Sequence, residues 1–323
     1  MNDSRNRPPV VVIAETLDPH CAEWLAARAR VVRPEGRPLR ELLADADGLV
    51  VRTYTRVDDG LLDAAPNLCV IGRAGVGLDN VDLDACRRRG IQVVYTPDAN
   101  TQAVAEYVTA LILDDLRPRT PMRGPVDAET FHRLRRTEVG AQLDELTIAI
   151  YGFGRIGKRV GRIASAIGMT VLTHDLIDEA TLRPLVDYPF EHVGRDELLS
   201  RGDILTIHVD GRPGNRHLLD GAALSLMKRT ALLVNAARGM LIDHAALRAW
   251  LDDVRDEGGR AVLDVHEPEP IPADHPLWHV DNALLLPHLA SRTHTAMRNM
   301  SWVVRDVVEV LEGRKPRSGA HLR

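Results

Sequence analysis

The chain has 323 residues, 45% of them hydrophobic and 27% charged. It carries neither a long apolar run nor a low-complexity tract, which excludes disorder, collagen and a membrane span and leaves room for about two domains. Its 41 basic and 46 acidic residues sum to −5 and are interspersed, so no basic stripe offers a groove for nucleic acid.

Along the chain, short apolar runs alternate with segments of 3.6-residue periodicity. VVVIAE (10–15), GLVVRT (48–53), CVIGRAG (69–75) and QVVYT (92–96) read as parallel strands of βα units. AVAEYVTALILDDL then predicts a long helix, followed by a Pro- and Arg-rich stretch from Arg117 to Pro125 that looks like an inter-domain connection. A second series follows: TIAIY (147–151), TVLTH (170–174), ILTIH (204–208), ALLVN (231–235), RAVLDV (260–265) and ALLLP (283–287). Six strands suggest a complete doubly wound sheet. The segment 294–312 places Met297, Met300, Val304, Val307, Val308 and Leu311 at helical spacing and is expected to pack back on the first domain. Cys21, Cys69 and Cys86 are unpatterned, and MNDSRNRPP lacks the apolar core of a secretory signal. A reducing, cytoplasmic setting is expected.

Directly after TIAIY stands Gly152-Phe153-Gly154-Arg155-Ile156-Gly157, and the next segment sets Ile156, Val160, Ile163 and Ile167 on one helical face before Gly168. Strand, glycine loop and helix thus occur in the order that points a helix N-terminus at a pyrophosphate. Gly152 permits the tight turn, Gly154 the approach of the anion, and Gly157 close helix–strand packing. Asp175 ends the next strand, 18 residues past Gly157, near the spacing of about 20 at which an acid accepts the ribose hydroxyls of NAD. Facing the 2′-phosphate of NADP, its charge would cost several kcal/mol. NAD is therefore the expected cofactor.

Hydride chemistry at a hydroxyl or carbonyl carbon needs a proton carrier and a cation, placed at the C-terminal ends of the second sheet's strands. Arg238 in NAARG, Glu269 in HEPEP and His288 after LLLP stand there. Each alone has an ordinary structural explanation, as a solvated arginine, a solvated glutamate or a satisfied core histidine. Their joint placement after successive strands is the signal. His275 and His279 are four apart but interrupted by Pro276, and no HExxH or CxxC spacing exists, so no metal site is expected.

RAGVGLDNVD (73–82), NTQAVAEY (100–107), GFGRIG (152–157), NAARGMLID (235–243), LDVHEPEP (263–270), ADHPLW (273–278) and PH (287–288) resemble the D-isomer-specific 2-hydroxyacid dehydrogenase family. LVVRTYTRV (49–57) with RAGVGLDN resembles its phosphoglycerate dehydrogenase branch. The resemblance implies an α/β fold of two domains. A Rossmann, doubly wound NAD-binding domain would span 100–288, and a flavodoxin-like, discontinuous substrate domain 1–99 plus 289–323. It implies interconversion of a D-2-hydroxy acid and its 2-keto acid, of the 3-phosphoglycerate, hydroxypyruvate or glyoxylate class, in a cleft that closes against water. Arg238 would grip carboxylate and carbonyl, His288 would be the general acid/base, and Glu269 would fix its tautomer and favour its protonated form. Cofactor contacts are implied for Gly152, Gly154, Arg155, Ile156, Gly157, Asp175, His208, Ala236 and Asp264, the last beside the nicotinamide carboxamide. Substrate contacts are implied for Arg52, Arg73, Val76, Gly77 and Asn100, with Tyr54 adding bulk beside the arginines.

The chain departs from the family pattern at Asp210-Gly211-Arg212, at Glu145-Leu146, at His266 in place of an aromatic, and at Leu286 in place of threonine. A second reading is an NAD-sensing, corepressor-like scaffold of the same fold; retention of Arg238, Glu269 and His288 favours the enzyme. Expected partners are a small-molecule substrate, with neither nucleic acid nor membrane, and the resemblance implies a homodimer formed through the nucleotide domain, to which 117–147 contributes. Control through a C-terminal regulatory domain is not expected.

Overall fold

The computed structural model describes residues 7–320. Its first sheet has five strands, β1 (Val10–Ile13), β2 (Arg30–Val32), β3 (Gly48–Val51), β4 (Val70–Arg73) and β5 (Gln92–Tyr95). All are parallel, in the order β2-β1-β3-β4-β5, the flavodoxin-like arrangement. β1 and β3 are buried along their whole length, as strands covered on both faces must be. β2 is a correction to the four strands read from the sequence. It is a three-residue edge strand with no fully buried position, so no apolar run marks it.

The second sheet has seven strands, β6 (Thr147–Tyr151), β7 (Thr170–His174), β8 (Glu191–His192), β9 (Ile204–Ile207), β10 (Leu232–Asn235), β11 (Arg260–Leu263) and β12 (Ala283–Leu285). They too are all parallel, in the order β12-β11-β10-β9-β6-β7-β8. The six expected strands are present, and the two-residue β8 adds an edge that no pattern of that length could announce. The order reverses between β6 and β9, the switch point of a doubly wound sheet.

The chain divides into two compact units, Met1–Asn100 with Ser291–Arg323, and Thr101–Ala290; the sequence placed the breaks at 99/100 and 288/289. The Arg117–Pro125 stretch therefore lies inside the second unit instead of joining two. In the first unit the C-terminal segment forms two helices, His294–Ser301 and Val303–Leu311, broken at Trp302. Met300, Val303, Val304, Val307 and Val308 are buried in one core with β1 and β3 residues. In the second unit the helix Arg155–Ala166 packs on the helix Thr101–Leu116. It buries Gly157, Val160, Gly161 and Ala164. Ile156 and Ile163 are only partly buried and Ile167 is exposed, so the buried face is rotated from the isoleucine stripe toward small residues that let two helices approach.

Candidate active site

The glycine loop is shaped for a phosphate. Gly152 has φ +94°, and a Cβ on Gly157 would lie 2.2 Å from the Gly152 carbonyl oxygen, whereas one on Gly154 would meet nothing within 4 Å. The first two positions are thus closed by the fold and the third is open. Gly154 is the N-cap of the helix beginning at Arg155, and no side chain caps that end. The backbone amides of a helix start point along its axis, the arrangement that suits an anion. The Asp175 carboxylate accepts from Phe153 N–H at 2.6 Å and Ile177 N–H at 3.0 Å. It braces the loop while each oxygen keeps a second lone pair for a ribose hydroxyl. Residues and geometry fit a dinucleotide.

Around this loop, His208 donates its backbone N–H to Tyr151 at 2.7 Å and has Nε2 3.0 Å from the Thr206 hydroxyl. Burial pushes its pKa down to about 4, which makes it a neutral hydrogen-bonding group at working pH. Ala236, just past β10, is partly buried against the second unit's core. In the unusual loop that follows β9, Arg212 Nε donates to Asp210 Oδ1 at 2.6 Å, and Asp175 contributes to holding its guanidinium charged.

At the ends of β10, β11 and β12 the predicted triad residues stand on three loops of the second unit. Asn235 shapes the first of these. Its side-chain amide donates to the Arg238 carbonyl at 2.8 Å and its Oδ1 accepts from Ala237 N–H at 3.0 Å. Arg238 Nη1 donates to the Ala237 carbonyl at 2.6 Å. On the other two loops, His288 Nδ1–H donates to Glu269 Oε2 at 2.9 Å, and Glu269 Oε1 accepts from His266 N–H at 2.9 Å. Burial raises the Glu269 pKa, but the bonds from His288 and His266 outweigh it and hold the carboxyl below its usual range. His288 adopts φ +56°, a left-handed conformation that costs a non-glycine residue about 1–2 kcal/mol and needs support from its surroundings.

Part of that support comes from Asp264. Expected beside the carboxamide, it is fully buried, with its carboxylate accepting from Leu289 and Ala290 N–H, both at 2.8 Å. Burial raises its pKa against these bonds. Burial and the nearby Asp264 carboxylate push the pKa of Tyr107 up to about 12, a residue that sequence reasoning passed over although it ends the NTQAVAEY motif. Among the described residues no group of three or more His, Cys, Asp or Glu could hold a metal.

In the first unit, Arg52 follows β3 and Arg73 ends β4, with Val51 and Arg73 in register. Glu15 organises the turn after β3 by accepting from the backbone N–H groups of Arg52, Thr53, Tyr54 and Thr55 at 2.9–3.2 Å. The Arg52 guanidinium donates to the Thr16 carbonyl at 3.1 Å, while its buried Nε has no hydrogen-bond partner. Burial and the charge of Arg292, a residue absent from the sequence reading, lower its pKa. Val76 and Gly77 lie half-buried in the loop after β4, Tyr54 is 85% exposed, and Asn100 ends the unit with a buried Oδ1 that has no partner.

Comparison with known proteins places this geometry. The family model "D-isomer specific 2-hydroxyacid dehydrogenase, NAD binding domain" matches residues 109–290. The chain is 40% identical over 269 residues to the (S)-sulfolactate dehydrogenase of Chromohalobacter salexigens, covering 82% of this chain and 84% of that one. It is 37% identical over 286 residues to the D-3-phosphoglycerate dehydrogenase of Methanocaldococcus jannaschii, covering 85% of this chain but 52% of the relative, about half its length. The crystal structure of a D-lactate dehydrogenase from Aquifex aeolicus, complexed with NAD and lactic acid, matches with a TM-score of 0.79 at 25% identity, over 94% of this chain and 96% of that one. These relatives carry enzyme names, which disfavours the scaffold reading. The chain belongs to the D-isomer-specific 2-hydroxyacid dehydrogenase family and is an NAD-dependent oxidoreductase of D-2-hydroxy acids.

Proposed function

We propose that the substrate is a three-carbon D-2-hydroxy acid, or its 2-keto acid, whose third carbon bears a second anionic group such as a sulfonate or phosphate. His288 exchanges the hydroxyl proton, Glu269 compensates the imidazolium, and Arg238 grips the carboxylate and carbonyl. The observation that carries the chemistry is the His288 Nδ1 to Glu269 Oε2 bond of 2.9 Å. It ties up one ring nitrogen and leaves Nε2 to take a proton from the alcohol or give one to the carbonyl oxygen. When bound, the dinucleotide supplies or accepts the hydride. The loop amides after Gly154 hold its pyrophosphate, Asp175 its ribose, and Val76, Gly77 and Asn100 assist with the substrate carboxylate.

The second anion is argued from Arg52 and Arg73, joined by Arg292. Two guanidinium groups close enough for one to depress the other's pKa are relieved by an anion between them. The sulfolactate relative fits a D-specific site: sulfur ranks the CH2SO3 group above the carboxylate, so the (S) descriptor denotes the D arrangement. The test is a steady-state screen of sulfopyruvate, 3-phosphohydroxypyruvate, hydroxypyruvate and glyoxylate with NADH and NADPH. A charge-assisted contact is worth roughly 1.5–3 kcal/mol, so kcat/KM for the two substrates that carry a second anionic group should exceed the others by about 10–100-fold. A preference for glyoxylate would overturn the reading.

The same reading makes the enzyme a cytoplasmic homodimer. Its three cysteines are free thiols, the state a reducing compartment maintains. The helix Ala128–Thr137 buries none of its residues, Met122, Val126, Phe131 and Val139 are exposed nearby, and a groove of about 540 Å³ runs between Leu113 and Gln142. A second copy covering this face would remove apolar area from water. Light scattering on the purified chain should give twice the monomer mass; a monomer at micromolar concentration contradicts it. Among the described residues no helix is long and apolar enough to cross a membrane.

A further inference from the structure

We infer that His266 is a positioning residue for His288: its ring holds the carbonyl of Leu286 and so supports, from the N-terminal side, the strained backbone that carries the acid/base. The inference rests on the reading of His288 as that group. His266 is 6% exposed and its Nε2 lies 2.7 Å from the Leu286 carbonyl oxygen. A carbonyl can only accept, so Nε2 carries the hydrogen. Nδ1 is buried and has no hydrogen-bond partner, so the ring makes one directed bond, to the residue two before His288.

Two further contacts converge on the same residue. Its backbone N–H donates to Glu269 Oε1 at 2.9 Å, fixing the carboxylate that binds His288. Gly239, next to Arg238, packs against it so closely that a Cβ there would lie 2.1 Å from the His266 carbonyl carbon. On the C-terminal side of His288, Asp264 holds the Leu289 and Ala290 amides. The φ of +56° at His288 is thus clamped at both ends, by His266 before it and Asp264 after it. The backbone contacts of residue 266 would survive replacement of its side chain; the bond to Leu286 is the part that requires histidine. A phenylalanine at this position could fill the space but not donate that bond. The departure from the family pattern at 266 therefore adds a bond, and because its acceptor is the main chain of residue 286 it asks nothing of the side chain there. The groups around the ring are His275, with ring centroids 6.4 Å apart, and His244, whose Nδ1 lies 2.9 Å from His275 Nε2. Glu267 and Glu269 follow in the same loop.

The test is a substitution series in the full-length enzyme. His266→Phe keeps a buried ring and loses the donor. His266→Gln places an amide nitrogen as far along the side chain as Nε2, and His266→Asn places it too short. Since a misplacement of about 1 Å at a reacting group can cost 10²-fold, Phe and Asn should lower kcat by about 10–100-fold with KM for NADH unchanged, and Gln should restore most of the loss. An unchanged kcat in the Phe variant, or a Gln variant as slow as Phe, overturns the inference. Nitrogen-15 NMR of the histidine rings in the wild-type protein saturated with NADH gives a readout that needs no variant. His266 should show a slowly exchanging Nε2–H; an Nδ1–H tautomer or rapid exchange overturns the clamp. If instead His288→Asn retains turnover, the acid/base reading fails while the His266 signal is untouched, so the two failures are told apart.

Discussion

His288 and Glu269 face each other at 2.9 Å from loops 19 residues apart in sequence, and the glutamate is held by a second bond from the His266 backbone. Replacing the carboxylate with an amide keeps shape but removes the charge that balances an imidazolium. Glu269→Gln should lower kcat by about 10–100-fold, a part of the roughly 10²–10⁴-fold that general acid–base catalysis contributes, while NADH binding is retained. The pair also has a pH signature. Its bonds depress the Glu269 pKa in the folded state, so the unfolded chain binds the proton more readily. The stability the pair contributes is fully present above the ordinary glutamate pKa of about 4.3 and is lost as pH falls through the lower folded value. Urea midpoints between pH 6 and pH 3 should show this loss in the wild type and a shallower fall in Glu269→Gln; parallel curves would contradict it.

Arg238 sits in a turn fixed by Asn235 and packed through Gly239 on His266. A planar fork can bind carboxylate and carbonyl together, which an ammonium cannot. Arg238→Lys should lower kcat/KM by about 10²–10³-fold while fluorescence titration gives an unchanged Kd for NADH. Near-normal turnover with lysine would remove the bidentate role.

Asp175 braces the glycine loop and, in the reading proposed above, faces the adenosine ribose. Asp175→Ala removes the acceptor for Phe153 N–H together with the charge that repels a 2′-phosphate. Arg212 keeps its ion pair with Asp210, so the gain comes from the lost repulsion. The ratio of kcat/KM for NADPH over NADH should rise by about 10–100-fold, since like-charge repulsion of several kcal/mol is relieved and partly offset by the looser loop. An unchanged ratio would show that discrimination lies elsewhere.

The sheets were legible because their strands are apolar runs such as Val10–Ile13 and Leu232–Asn235, buried on both faces. β2 and β8 were not, being edge strands of three and two residues. The positions of Arg238, Glu269 and His288 followed from their places after strands. What supports them did not, because it is made of backbone. Glu15 accepts four consecutive amides, Asp264 two, and His266 reaches a carbonyl. Main-chain partners leave no trace in residue identity. The rotated face of the helix Arg155–Ala166 escaped for a different reason. Hydrophobic periodicity selects large residues, whereas close helix packing is set by Gly157, Gly161 and Ala164.

Asp264 should show the opposite pH behaviour from Glu269. Burial raises its folded-state pKa despite the bonds from Leu289 and Ala290, so the folded protein binds its proton more tightly than the unfolded chain does. Its contribution to stability therefore declines as pH rises from the ordinary aspartate pKa of about 3.9 through the raised folded value. Asp264→Asn removes this titration. It also replaces an acceptor with a donor, so one of the Leu289 and Ala290 amides is left unmet in a site with no exposure. An unsatisfied buried group costs about 1–3 kcal/mol, which urea unfolding at neutral pH should register as a lower midpoint at unchanged slope. Because those amides follow His288 directly, kcat should fall as well, by more than KM for NADH rises. A variant as stable and active as the wild type would mean that the chain after His288 holds its conformation without the carboxylate.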